Sequence, residues 1–457
     1  MLKEESDIVN KKYEIVNSVI TYEELIENIA KLKNNGEIEE IWYAIYKYYK
    51  SQADWEEKLK GDLEGLNYTN LPKDIQKENI NKLYGNTLTT SVSKLERYRS
   101  CPFSYYLQYG LKLKEKEELK IQSFNTGSFM HETIDEFFDY VKQKDLNLAE
   151  IEEDEILKIV SKIIDENLNL NKNFIFTATA KYKMLVRRLK KIVSKALKYI
   201  IHTIIYSDFS LEGTEIEFGK KEKYAPIVLD LEDGKKVEIT GKIDRIDTAT
   251  SEYGKYLRII DYKSSAKNIE LNEVYAGLQI QLLTYTDAIC KEEDMMPAGI
   301  FYFSLLEQMI KADKKMTEEE IEQMIQKNFR MKGLIIADVK IIKMNDNTLK
   351  SGSSKLVPAA LTTSGTINEK WTNGVKSEEF KILQDYIYKT IKDISKEILS
   401  GKIDLKPYYK KGKTPCEYCE YKAICGFDSR QNNNKYNYIN QKSKDEILLK
   451  MKEETKK

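Results

Sequence analysis

The spacing of hydrophobic residues divides the chain into a helical part and a strand-rich part. Apolar side chains recur with a helical period up to about residue 83 and again from residue 87 to about residue 206, which predicts helices in both stretches. From residue 214 to residue 265 the period shortens to that of β-strands. The predicted strands are "TEIEFG", "APIVLDL", "KKVEITGKIDRIDTA" and "KYLRIIDYKSS", and the turn "EDGK" joins the middle pair.

A helix and a further strand complete the predicted sheet. "NEVYAGLQIQLLTYTDAICK" has the spacing of a helix, and "AGIFYFSLL" is typical of a strand, so the two form a β-α-β crossover. We therefore predict an α/β fold in which helices flank a small mixed sheet. "KGLIIADVKIIKMND" and "NTLKSGSSKLVPAALTTSG" are interpreted as an insertion, and the polar tail after Asp428 as a solvated or frayed end.

Composition is that of a folded protein without a membrane span. The chain has 457 residues, 41% of them hydrophobic, which is enough for two or three domains. It contains no long uninterrupted apolar run, and the acidic start "MLKEESD" is unlike a signal peptide, so we expect a cytoplasmic location. Lys plus Arg and Asp plus Glu each number 74, so a nucleic acid would have to bind a local basic patch. No G-x-x-x-x-G-K-[ST] segment occurs, so no ATPase site is expected.

Two charged residues stand in the apolar strand "IIDYKSS". Side chains alternate between the faces of a strand, so Asp261 and Lys263 project to one side and Tyr262 to the other. The two charged groups can therefore act on one object. The alternative is that Asp261 and Lys263 form only a salt bridge.

The preceding strand supplies further carboxylates in "GKIDRID". Either Asp244 or Asp247 is expected beside Asp261 if the two strands are neighbours, and facing carboxylates repel each other unless a cation lies between them. Oxygen ligands completed by water suit Mg²⁺, which can polarise a phosphodiester and activate a water molecule. In the alternative interpretation, Asp244 pairs with Lys242 or Arg245 at the surface.

Other elements offer further candidates for the same site. Glu217 in "TEIEF" and His131 in "FMHETIDEF" are candidate metal ligands from separate elements. Gln281 and Tyr285 are four residues apart on the predicted helix, so both can reach one surface. The sequence pattern equally allows His131 and Tyr285 to be structural residues.

The cysteines are spaced like metal ligands. Cys416, Cys419 and Cys425 follow C-x₂-C-x₅-C, and Cys101 lies far upstream in "RSCPF". Four thiolates suit a zinc ion or an iron-sulfur cluster, and one distant ligand with a compact trio favours iron-sulfur, with zinc left open. Cys290 is expected to be a packed, unligated residue.

These motifs together resemble one protein family. "SVSKLERYRSCPFSYYLQYGLKLKE", "GSFMHETIDEFF", "GKIDRID", "IIDYKSS", "QIQLLTY" and "CEYCEYKAICGFD" occur in this order between Thr87 and Asp428. In this order they resemble the C-terminal nuclease region of the AddB family, the B subunits of bacterial AddAB helicase-nucleases. That region belongs to the RecB-like branch of the PD-(D/E)XK nucleases.

The resemblance implies the chemistry of a DNA exonuclease. His131, Asp244 and Asp261 would bind Mg²⁺ together with a main-chain carbonyl near Tyr262, and Lys263 would be the catalytic lysine. Gln281 and Tyr285 would match the Q-h-x-x-Y motif of the family. The resemblance further implies a 4Fe-4S cluster, with zinc as the minor alternative, held by Cys101, Cys416, Cys419 and Cys425.

The resemblance also implies partners and a domain organisation. The partners would be DNA, in single-stranded form, and an AddA-like helicase-nuclease subunit, in double-strand-break repair by recombination. We predict a helical extension or a connection to a helicase-like half in residues 1–86, a nuclease domain with an iron-sulfur staple in residues 87–430, and a polar tail in residues 431–457. The alternatives are a non-cleaving scaffold that binds DNA or a subunit, and a stand-alone CRISPR-associated RecB-like nuclease.

Overall fold

The structure is a computed structural model that describes residues 17–33, 36–66, 68–116, 121, 123–170, 175–219, 222–306, 316–430 and 433–456. The chain divides into two units, Met1–Leu71 and Pro72–Lys457. This division lies earlier than the limit at residue 86 that we predicted from the sequence. None of the helices in the described ranges combines the length and the apolar composition needed to cross a bilayer.

The first unit is helical, as predicted, over its described residues. It contains α1 (Ser18–Lys33), α2 (Glu40–Ser51) and α3 (Ala53–Leu66). Aromatic rings from all three helices pack together, with ring centroids 5.3 Å apart for Tyr22 and Tyr49 and 4.8 Å apart for Tyr22 and Trp55. This aromatic core accounts for the periodicity of the first part of the sequence.

The second unit begins with the predicted helical region. Its first elements are listed in chain order: α4 (Lys77–Tyr84), β1 (Thr87–Thr90), α5 (Val92–Ser100), α6 (Pro102–Tyr105), a π-helical turn (Tyr106–Gly110), α7 (Ser123–Gln143), α8 (Glu153–Asn167) and α9 (Ala180–Ile205). Ser91 is the N-cap of α5, because its hydroxyl accepts a hydrogen bond from the N–H of Lys94. The strand β1 was not predicted, because it pairs with β4 (Lys236–Ile239), a segment far along the chain.

The main sheet has six strands in the order β11-β8-β7-β6-β5-β2. Their bounds are β2 (Ser210–Phe218), β5 (Gly241–Ser251), β6 (Gly254–Lys263), β7 (Met296–Ser304), β8 (Lys332–Ile336) and β11 (Gly374–Val375). β6 pairs with β5 antiparallel and with β7 parallel, so the sheet is mixed and the predicted β-α-β crossover is confirmed. A smaller sheet has the order β1-β4-β3, in which β3 is Ile227–Asp230.

The crossover contains two helices where one was predicted. α10 (Leu271–Tyr275) and α11 (Gln281–Glu292) are separated at Gly277, which has a φ of +77°. Residues with a side chain rarely adopt this left-handed conformation, so the glycine ends the first helix.

Two segments are more ordered than predicted. The supposed insertion contributes β8 to the main sheet and continues as α13 (Val339–Asn345). The supposed frayed end forms α16 (Lys444–Thr455), whose Leu448 and Met451 are buried in the main core. The remaining elements after β7 are α12 (Glu318–Phe329), β9 (Gly352–Ser353), β10 (Ala360–Leu361), α14 (Ser377–Leu399), β12 (Tyr408–Tyr409), α15 (Lys422–Cys425) and β13 (Asn437–Tyr438).

Hydrophobic cores cover both faces of the main sheet. Leu257 and Ile259 of β6 belong to one core, and Ile260 and Tyr262 belong to the other. A strand buried on both faces becomes a nearly continuous apolar run, which is the pattern that "YLRII" shows.

A buried ionic network joins β5 to β6 on the face of the second core. Arg245 donates two hydrogen bonds of 2.7 Å to the carboxylate of Asp247, and Arg258 donates one of 2.8 Å to the same carboxylate. All three side chains are fully buried. Arg258 also donates to the main-chain carbonyl of Thr203 and to the side chain of Asn345, so the network reaches α9 and α13.

Removal of the central carboxylate should destabilise the second unit. Asp247→Ala would leave two buried guanidinium groups without their counter-ion, which costs about 3–5 kcal/mol in comparable buried networks. The measurement is the free energy of unfolding in urea, followed by far-UV circular dichroism. Asp385→Ala, which breaks the surface ion pair with Lys381, is the control and should change this free energy by less than about 0.5 kcal/mol. Equal effects of the two variants would contradict the prediction.

Candidate active site

Asp244 and Asp261 lie on neighbouring strands and face each other. The register pairs Arg245 of β5 with Ile260 of β6, which brings the preceding Asp244 opposite the following Asp261. The main-chain N–H of Tyr262 donates a hydrogen bond of 2.7 Å to Asp244 Oδ2. The structure thus places Asp244, and not Asp247, beside Asp261.

His131 approaches Asp244 from α7. Its Nδ1 atom lies 3.4 Å from Asp244 Oδ2 and 3.4 Å from Glu215 Oε1. One ligand atom from each of the three residues can be chosen so that all lie within 4.8 Å of one another, which suits a bound metal ion. Burial lowers the pKa of His131, but hydrogen bonds with Asp244 and Glu215 outweigh it and raise the pKa to about 10. A metal ion on this imidazole must therefore displace a proton.

Glu215, which the sequence analysis missed, occupies the place that we expected for Glu217. Glu215 lies opposite Asp244 on the edge strand β2, whereas Glu217 pairs with Lys242 in the register and is exposed. The φ of Glu215 is +48°, a left-handed conformation that is costly for a residue with a side chain and occurs mostly at functional positions. Burial raises its pKa, but the neighbouring His131 and Lys242 outweigh burial, so the pKa falls below its usual value.

Asp261 and Lys263 form an ion pair of 2.5 Å. Burial and the charge of Asp244 raise the pKa of Asp261 to about 6, although Lys263 opposes them. Burial lowers the pKa of Lys263, but Asp261 and Asp244 raise it above its usual value, so the ammonium group keeps its charge. The alternative salt bridge therefore exists, but it lies inside the carboxylate cluster and not at an unrelated surface.

Gln281 and Tyr285 lie on the first turns of α11, whose N-terminus adjoins this cluster. The ring of Tyr285 stacks on Phe218, with centroids 5.2 Å apart, and its hydroxyl lies against Gly241, where an added Cβ would come within 2.0 Å of the oxygen. Only glycine fits this close approach. Burial and the charges of Glu96, Asp261 and Asp244 raise the pKa of Tyr285, so the hydroxyl stays protonated and can donate a hydrogen bond.

The four predicted cysteine ligands line one cavity. A cavity of about 170 Å³ is bounded by Cys101, Cys416, Cys419 and Cys425 together with apolar side chains such as Phe103 and Leu107. Burial and the neighbouring Cys416 and Cys419 raise the pKa of Cys101 to about 11. Cys290 lies instead on α11, as predicted for an unligated residue.

The separation of the sulfurs bears on the kind of metal centre. Four sulfurs around one zinc ion, each about 2.3 Å from the metal, are roughly 3.8 Å apart. Among the described residues, the groups of three ligand atoms within 4.8 Å of one another comprise His131, Glu215 and Asp244, and no group of cysteines. The thiols thus surround a space that is wider than a single tetrahedral ion requires.

Comparison with known families matches both parts of the chain. Residues 89–426 match the family model of the PD-(D/E)XK nuclease superfamily. Residues 12–65 match the fifth domain of the ATP-dependent helicase/deoxyribonuclease AddB. The resemblance that the motifs indicated is confirmed.

Curated relatives share the same name. The chain is 36% identical over 439 residues to the B subunit of the ATP-dependent helicase/deoxyribonuclease of Acetivibrio thermocellus, which covers 95% of the chain and 38% of the relative. The protein of the same name from Clostridium tetani is 35% identical over 462 residues, which covers 100% of the chain and 40% of the relative. The chain thus spans less than half the length of these relatives.

The position of Glu215 can be tested by metal binding. Glu215→Gln removes one negative charge from the three-residue group and should weaken Mn²⁺ binding at least about tenfold. Glu217→Gln, on the same strand but exposed, should leave the affinity unchanged. Isothermal titration calorimetry measures both. A loss of affinity in Glu217→Gln, with Glu215→Gln unaffected, would restore the assignment expected from the sequence.

Proposed function

Because the chain belongs to the PD-(D/E)XK nuclease superfamily, we propose that it is a Mg²⁺-dependent DNA exonuclease that hydrolyses phosphodiesters of single-stranded DNA. The observation that most supports this proposal is the meeting of Asp244, Asp261 and Lys263 on adjacent strands beside His131. Three carboxylates and two cationic side chains converge there. A site intended only to grip phosphates has no use for carboxylates, which repel them.

The proposed metal site uses side chains from several elements. His131, Glu215 and Asp244 have ligand atoms close enough for one ion, and Asp261 with the main-chain carbonyl near Tyr262 would complete the set. Bound Mg²⁺ supplies Lewis-acid polarisation of the phosphate and lowers the pKa of a bound water molecule. The carboxylates hold their charge for this purpose because His131 and Lys263 offset their repulsion.

Lys263 and the first turns of α11 act on the phosphate in this proposal. The Lys263 ammonium group is charged and lies at the end of β6, where it can stabilise negative charge that develops during hydrolysis. Gln281 and the protonated Tyr285 hydroxyl can donate hydrogen bonds that orient the phosphate or the lysine. Each of these roles agrees with the motif that the residue matches.

The partner and the biological setting are proposed from the relatives. These relatives are named as B subunits of an ATP-dependent helicase/deoxyribonuclease, and residues 12–65 match a further AddB domain. We therefore propose that the chain acts with an AddA-like helicase-nuclease subunit in double-strand-break repair and recombination. The match over residues 12–65 argues against the stand-alone CRISPR-associated alternative.

A 4Fe-4S cluster is the proposed occupant of the cysteine cavity. The support is that all four predicted ligands line it, together with apolar side chains, and are spread more widely than zinc requires. The cluster would join the end of α5, just before Cys101, to the segment around α15. Its role in this proposal is structural.

A non-cleaving scaffold is the second candidate function. The observation in its favour is the Asp261–Lys263 ion pair, in which the two groups satisfy each other without a substrate. Such a protein would retain DNA in EDTA and leave it intact in Mg²⁺.

Cleavage of end-labelled single-stranded DNA separates the two functions. The parent protein should cleave in Mg²⁺ and not in EDTA, and Asp261→Ala and Lys263→Ala should each lower the rate roughly 10²–10³-fold because they remove charge from the surroundings of the reacting phosphate. Lys255→Ala, at the exposed start of the same strand, is the matched control and should cleave like the parent. Activity that survives Asp261→Ala and Lys263→Ala would refute the proposed site.

The cluster is tested by metal content. Protein purified without oxygen should contain iron, and Cys416→Ala should lose it and unfold at a lower temperature, because ligand loss also removes folding energy. Cys290→Ala, which changes a cysteine that does not line the cavity, should keep its iron. Elemental analysis of the three proteins gives the result, and stoichiometric zinc in the parent would establish the minor alternative.

A further inference from the structure

The N-terminus of α11 has no capping side chain of its own. The first N–H groups of a helix lack partners within the helix, and Ser, Thr, Asp or Asn usually caps them. The N-cap position here is Ile280, whose side chain cannot accept a hydrogen bond. The cap for this helix must come from another part of the chain.

Glu96 of α5 supplies that cap. Its Oε1 atom accepts hydrogen bonds from the N–H groups of Ile280, at 2.8 Å, and Gln281, at 3.1 Å. A carboxylate at a helix N-terminus is stabilised by the positive end of the helix dipole. One carboxylate oxygen therefore holds the main chain of the residue whose side chain matches the glutamine of the motif.

The charge of Glu96 is enclosed near the proposed active site. Burial raises its pKa to about 7, while Lys267, the two N–H groups and Lys263 act in the opposite direction. Glu96 in turn is among the groups that raise the pKa of Lys263. The carboxylate is thus within electrostatic reach of the proposed catalytic lysine.

A second contact fixes α5 against the turn that leads into α11. A Cβ atom added to Gly277 would lie 2.9 Å from Cγ of Arg99, so the turn packs directly on α5. Arg99 and Glu96 are on the helix that ends just before Cys101. The cysteine-bearing segment and the helix of Gln281 therefore meet through a few neighbouring residues.

We propose that Glu96 is a positioning residue that fixes the N-terminus of α11, and with it Gln281, relative to Asp261 and Lys263. The consequence for activity rests on the proposed nuclease function, but the consequence for the helix does not. A role confined to stability would predict a loss of folding and DNA binding together with activity. A positioning role predicts a loss of turnover alone, because a small displacement of a group at the reacting centre suffices.

Cleavage kinetics on single-stranded DNA distinguish these roles. Glu96→Ala should lower kcat about 10–100-fold, with KM and the melting temperature close to those of the parent. Glu96→Gln keeps an oxygen that can accept both hydrogen bonds and should restore kcat to within about threefold of the parent. Glu379→Ala, which removes a glutamate that accepts the Lys376 N–H at the start of α14, is the matched control and should retain full kcat.

Hydrogen exchange tests the same inference without DNA. Glu96→Ala should speed the exchange of amides at the start of α11, in residues 280–284, and Glu96→Gln should not. Unchanged exchange in Glu96→Ala, or an equal loss of kcat in Glu96→Ala and Glu96→Gln, would overturn the inference. Faster exchange in Glu96→Ala of a protein whose parent does not cleave DNA would support the positioning role and refute the proposed function.

Discussion

The buried carboxylate of Asp247 between two guanidinium groups fixes the register on which the rest of this site depends. Because side chains alternate along a strand, a slip of one residue between β5 and β6 would turn Asp244 and Asp261 to opposite faces of the sheet. Arg245 and Arg258 cannot leave Asp247 without exposing unpaired charge to the core, which is far more costly than an ordinary lost contact. The network thus specifies the pairing, on the face of the sheet away from the carboxylates that it positions.

The carboxylate cluster is balanced by cations on its own chain. His131 carries its proton between Glu215 and Asp244, and Lys263 pairs with Asp261. Carboxylates in this arrangement would otherwise repel each other and raise their own pKa values. The same positive groups lie where a divalent cation and a phosphate would later bind, so the folded chain can keep the site charged without either ligand.

The sequence allowed the site to be predicted wherever one strand or helix determined it. The alternation that brings Asp261 and Lys263 to one face is a local property, and so is the helical spacing of Gln281 and Tyr285. Glu215 was missed because its place depends on pairing across two strands and on a left-handed backbone at that residue. The same limit explains the unpredicted elements. β1 pairs with β4 and β8 with β7, whereas α16 is ordered by apolar contacts with the main core, and all of these contacts are distant along the chain.

Long-range contacts also decide how the two proposed metal centres are related. Cys101 is separated from Cys416 by most of the second unit, so a metal centre between them would close a very long loop, and the entropic cost of closure grows only slowly with loop length. A centre that holds Cys101 also fixes the end of α5, and α5 carries Glu96, which caps α11. The order of dependence therefore runs from the cysteines to α5, from α5 to α11, and from α11 to Gln281. Rigid support of this kind is what a reaction needs when its groups must stay within a fraction of an ångström of their working positions.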